Sequence, residues 1–217
     1  MSQEKFKRFS GESLYWDQLV QLPVEDVCYR TGASASPLPK GFLLPVYHLR
    51  YLILPGTREI WRIEKNDQIF HDAIHPFFTL MVLAYLIGAK AIQSQGRWVG
   101  EKDLKGGFDF FQGPHRLQVE ELENLFGKDP EAFLKAGRRL GGKEVSFGNK
   151  AFVLQVFPRI PLLYLLWRGD EEFPPSIKVL FDSTIQFHLP LDILWGMVAE
   201  TSRRLVEMAP EAGGGSG

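Results

Sequence analysis

The chain has 217 residues, 45% of them hydrophobic, and carries 25 Lys+Arg against 26 Asp+Glu for a formal net charge of −1. So balanced a charge gives no field for gripping nucleic acid or an anionic membrane, and so apolar a chain excludes disorder over most of its length. A single cysteine, Cys28, excludes an internal disulfide framework or a cysteine-held cluster within the chain, and the expected setting is reducing and cytoplasmic.

At roughly 150 residues per domain, the length suits one domain with elaborations. The first eleven residues are polar and lack the apolar centre of a secretory signal. Residues 11–22 place Leu14, Tyr15, Leu19 and Leu22 near helical spacing, so a helix is expected there. Pro23 then opens a second helix with Val24, Val27 and Cys28 inward, and Gly32 stops it. Small residues over 33–41 read as a loop. Short strands follow at Phe42–Val46, Leu49–Leu54 and Glu59–Glu64, with Pro55-Gly56 as a turn between the last two.

Pro76 starts a strongly apolar helix that ends near Lys90. Its apolar stretch, 77–89, is too short for the roughly 20 residues a bilayer requires, so it reads as a core helix. Short strands are expected around 97–100 and 108–111, and helices over 115–126 and from Asp129-Pro130 to Gly141. Apolar runs at 151–157, 162–167 and 177–181 read as strands, and a last helix runs from Pro190 to about Met208. The Gly213–Gly217 run reads as a flexible linker appended to the fold. Strands and helices do not alternate strictly, so the expected class is α+β: a mostly antiparallel sheet packed on several helices. The expected division is a helical extension over 1–22, one domain over 23–209 and a flexible tail over 210–217.

Common enzyme signatures are missing. No phosphate-cradling glycine loop, GxSxG elbow or HExxH is present. Cys28 lies on an apolar helix stripe, which favours packing over nucleophilic use. His71 and His75 have the spacing of a zinc pair, but Pro76 as first helical residue leaves both outside the helix, where that spacing loses its meaning. Phe108, Phe110 and Phe111, flanked by glycines, serve either a core or one wall of a ligand pocket.

The densest polar chemistry lies between Phe157 and Asp192. Asp170, Glu171 and Glu172 form an acidic turn, flanked by Trp167 and Arg168. Such a turn could ligate a hard cation, supply an acid or base, or dock a basic partner; equally, it could simply keep two strand ends solvated. The segment between 162–167 and 177–181 is shorter than the dozen residues a parallel crossover needs, so the two strands should be antiparallel. Asp182 then falls roughly 17 Å from the acidic turn, at about 3.3 Å per residue, and the two cannot share one metal. A second cluster is expected at the far end: Arg159 paired with Asp182, near His188 and Asp192. His188 there is either a cofactor or metal ligand or a half-buried residue at a helix start.

The runs WRGDEEFPPS (167–176), LFD (180–182), HLPLD (188–192) and FPRIPL (157–162), with TGA (31–33) and GRWVGEKDLKGG (96–107) upstream, resemble an uncharacterised prokaryotic family of unknown function found mostly in anaerobes. The likeness covers roughly residues 25–208. Some members of that family look fused to a four-cysteine iron–sulfur module similar to that of corrinoid iron–sulfur proteins, and the resemblance therefore implies work beside corrinoid or one-carbon metabolism. With one cysteine, this chain has no such module, so any cluster belongs to a metalloprotein or iron–sulfur partner, and no cofactor is assigned to the chain itself. The leading expectation is an accessory protein that docks a partner or holds a cofactor. The alternatives are a metal-dependent hydrolase or lyase using the acidic turn, and a purely structural subunit.

Overall fold

The computed structural model describes residues 11–64, 68–70, 74–169 and 172–210. Helices α1 (Glu12–Val20) and α2 (Val24–Thr31) come first, with Pro23 at the N-cap of α2 and Gly32, in the left-handed region, closing it. Then β1 (Ser34–Pro37), β2 (Lys40–Val46), β3 (Leu49–Leu54), β4 (Glu59–Ile63) and β5 (Ile69–Phe70) form an antiparallel meander in chain order. The stretch expected as a loop over 33–41 thus contains an edge strand. Ser, Ala and Pro are weak strand formers, and it is pairing with β2, from Ser34↔Leu43 to Pro37↔Lys40, that draws them into the sheet.

Helix α3 (Pro76–Gly88) is apolar on every side, and Phe78 and Met81 through Leu86 are all buried. Neighbours must therefore surround it, and it packs on α7 (Leu191–Glu207), α1 and α2. Among the described residues, no helix is long and apolar enough to cross a membrane.

The second sheet has the order β6 (Trp98–Val99), β10 (Ser176–Asp182), β9 (Ile160–Trp167), β8 (Lys150–Phe157), β7 (Lys143–Val145), with every pair antiparallel. Both faces of β9 are covered. Leu162, Tyr164 and Leu166 face the main core, while Leu163 and Leu165 join Ala151 in a smaller cluster on the other face. The architecture is α+β, and one apolar core runs through both sheets and the helices. A backbone bond from Tyr47 N–H to Val156 O (3.0 Å) ties the sheets directly.

The remaining helices are α4 (Gly107–Phe110), α5 (Glu120–Phe126) and α6 (Pro130–Arg139). Two expectations change here. Residues 108–111, expected as a strand, fall mostly in α4, because Gly106 turns left-handed and Gly107 sits where a Cβ would lie 2.0 Å from Glu101 O. The helix expected over 115–126 begins only at Glu120, after a 3₁₀ turn at Gly113–His115.

Candidate functional site

Strands β9 and β10 run side by side in opposite directions, from Ser176↔Trp167 at one end to Phe181↔Leu162 at the other. Trp167 and Ser176, on either side of the acidic run, therefore lie at the opposite end of β10 from Asp182. Asp170 and Glu171 lie outside the described residues. Of their neighbours, Trp167 ends β9 partly exposed, Arg168 N–H donates to Asn149 Oδ1 (3.3 Å), and Glu172 precedes the exposed Phe173.

At the other end the expected Arg159–Asp182 pair does not form. The buried Asp182 carboxylate accepts instead from the backbone N–H groups of Gln95, Gly96 and Thr184 and from the Thr184 hydroxyl, at 2.6 to 3.2 Å. Burial works against its charge, but these hydrogen bonds outweigh it and hold the acid below its ordinary range. The physical reason is competition: the amides just before β6 and the Thr184 turn supply the carboxylate with donors, and Arg159 is engaged by carbonyls at the end of α2. Arg159 reaches the other way, donating to the carbonyls of Arg30 and Tyr29 at the end of α2, while its own N–H meets Tyr85 Oη.

His188 is buried beside both. Its Nδ1 accepts from Lys90 N–H (3.3 Å), which leaves the proton of the neutral ring on Nε2, and Nε2 is buried without a partner. Burial, reinforced by the Arg159 charge and partly offset by Asp182, lowers the imidazole to about 4. Asp192 separates from this group, exposed in the first turn of α7. Among the described residues, no three His, Cys, Asp or Glu side chains gather as a metal set. Cys28 is half-buried against the core, with its thiol pushed up by burial and by Glu25. His71 lies outside the described residues, and His75 caps α3 by accepting from Phe77 N–H.

The largest concentration of buried polar chemistry was not legible as a site in the sequence. It lies on the second half of α7. Glu200 is fully buried, and its carboxylate is clamped by Arg203 Nη2 and Nε (both 2.9 Å) and by Arg204 Nε (2.6 Å). Burial alone would weaken the Arg204 charge, but Tyr47, Tyr51 and Glu200 more than restore it, and the guanidinium lies over Phe78 at 4.7 Å. Thr201 Oγ1 donates to Met197 O, so the Tyr47 hydroxyl, 2.8 Å away, donates to Thr201. Tyr47 itself has φ +56°, a left-handed conformation that is costly for a bulky residue. The hydroxyls of Tyr164 and Ser202 are buried beside one another and beside Thr201.

This cluster forms the floor of a cleft of about 870 Å³ between α7 and the 113–123 segment. His75, Glu200, Ser202 and Arg203 line one side, and Arg116, Glu120 and Glu121 line the other. His75 Nδ1 stands 3.6 Å from Glu200 Oε2, and burial of the ring lowers its pKa despite that carboxylate. No bond joins Ser202 to His75, so no nucleophile–base pair is set up. What the cleft does provide is a rigid charged floor and an acidic rim, which is the equipment of a binding site. A second cleft of about 940 Å³ lies across the 113–119 segment against β10, lined by Phe108 and Phe111 among others.

The family model described as domain of unknown function (DUF3786) matches residues 23–204. The chain belongs to this family. The DUF3786 region opens at Pro23, just after α1, and closes at Arg204, so it takes in both sheets and the whole Glu200 clamp. No curated protein and no solved structure matches the chain.

Proposed function

We propose that the protein is an accessory binding protein of anaerobic corrinoid or iron–sulfur metabolism, and that it acts by holding a partner or its cofactor against the α7 cleft. The observation that carries the binding part is a locked, fully buried Glu200, held by Arg203 and Arg204, at the base of an open cleft whose rim carries the exposed Glu120 and Glu121. A carboxylate that takes three N–H bonds from two arginines is locked in place, and it fixes the geometry of everything around it. Glu120 and Glu121, exposed on the rim, favour a partner that presents basic groups. They also sit in the first turn of α5, where the helix dipole favours acids, so the same charges serve fold and surface. The metabolic setting rests on the resemblance of the 157–192 block to proteins that look fused to iron–sulfur modules. The test is anaerobic capture from native extract with the full chain as bait, read by cobalt and iron content and visible absorption of the eluate. Retention of a corrinoid or iron–sulfur protein supports the reading, and an eluate free of both metals contradicts it.

A further inference from the structure

Phe77 also lines a second, smaller cavity of about 190 Å³, between α3, the start of α7 and the 110–115 segment. Four rings, Phe77, Phe110, His115 and Trp195, line it together with the apolar Leu80, Met81 and Ile193. Phe77 meets Trp195 edge to face at 5.4 Å, His115 meets Trp195 edge to face at 5.9 Å, and Phe110 stacks on His115 at 4.6 Å. The Trp195 indole N–H donates to Arg116 O (3.0 Å), which favours the orientation that leaves the space open. Opposite the rings, Gly196 contributes no side chain; a Cβ there would point at Phe77 from 3.6 Å.

Asp192 completes the wall. It is exposed, and among the described residues no Lys, Arg or His lies within ion-pair distance of it. A carboxylate with no ion-pair partner among the described residues, set beside several aromatic rings, attracts cations and repels anions, because ring faces and carboxylate carry the same sign. The volume falls below the roughly 300 Å³ at which drug-sized pockets begin, so it suits a compact head group rather than a whole cofactor. We infer that this cavity binds a small alkylated ammonium group, presented either by a free amine or by a methylated lysine side chain.

The full chain would be titrated with choline and with its uncharged carbon isostere, in which a tert-butyl group replaces the trimethylammonium head. Binding would be read by calorimetry and by the NMR shift of the Trp195 indole N–H. Saturable choline binding that moves the Trp195 signal, about tenfold tighter than the isostere and weakened severalfold by Asp192→Asn, supports the site. Equal affinity for choline and isostere, or no movement of the Trp195 signal, overturns it. Asp192 is exposed, so its variant should fold, and Trp195→Phe provides a second variant that keeps a ring in place. A peptide bearing trimethyllysine identifies the source. Binding tighter than choline assigns the group to a protein side chain, weaker binding assigns it to a free amine, and either result requires the ammonium site.

Discussion

Glu200 shows how one side chain can fix a region. Its carboxylate has no water to fall back on, and three guanidinium nitrogens hold it. Breaking a buried pair leaves the opposite charge stranded, which costs about 3 to 5 kcal/mol. Glu200→Gln, nearly equal in shape, is therefore expected to lower unfolding stability by about 3 kcal/mol in urea titrations, against a few tenths for exposed Glu121→Gln. His188 offers a pH readout. Its folded pKa of about 4 lies below the ordinary value of 6.5, so as pH falls the unfolded chain takes up the proton first. Stability should be intact above pH 6.5 and decline toward pH 4, by up to about 3 kcal/mol for this group. In His188→Gln that portion of the slope should vanish; a slope unchanged from wild type would show that the ring is not buried neutral.

At the scale of elements, α7 carries two cavities on one helix, and Gly196 is the place to separate packing from binding. Ala fits there, since its Cβ would meet Phe77 at ordinary contact distance, and it is a better helix former by about 1 kcal/mol. Gly196→Ala should raise the melting temperature while reducing room in the aromatic cavity; a lower melting temperature would mean the helix is strained at that position. The corner between α2 and β9 provides another test. Arg159 and Asp182 each have full sets of other partners, so a double-mutant cycle between them should give a coupling within about 0.5 kcal/mol of zero. A coupling of a kcal/mol or more would restore the direct pair.

The same elements show what the sequence reveals. The β9–β10 hairpin was legible because two apolar runs and a short polar connection leave only an antiparallel solution. β1 and α4 were not: the first is imposed by its neighbour β2, and the second by a glycine corner packed against Glu101 O. Glu200, Arg203 and Arg204 have the spacing of ordinary surface ion pairs, and nothing in that spacing says the carboxylate is buried. The hint was their company, since Ala199, Thr201 and Ser202 are small residues on a helix whose other turns are apolar. Arg159 was placed at the correct strand end but given the wrong partner, because backbone amides and carbonyls from distant segments leave no trace in residue identity.

Over the whole molecule, polar chemistry divides between two ends of α7 and one end of the second sheet. The described flank of the acidic run, Trp167 and Ser176, lies at the far end of β10 from Asp182. The DUF3786 region encloses all of these, so family membership alone does not choose among them. Physical reasoning does: the α7 cleft combines concavity, a rigid charged floor and exposed rim carboxylates, whereas the described residues flanking the acidic run include an exposed Trp167 and Phe173. The deciding measurement is partner retention by two charge variants compared side by side under anaerobic conditions. One carries Glu120→Lys and Glu121→Lys on the cleft rim, and the other has Asp170, Glu171 and Glu172 converted to their amides. Loss of the cobalt- or iron-containing partner by the rim variant alone is the expected result, and loss by the amide variant alone would move the binding surface to the acidic turn and refute the account.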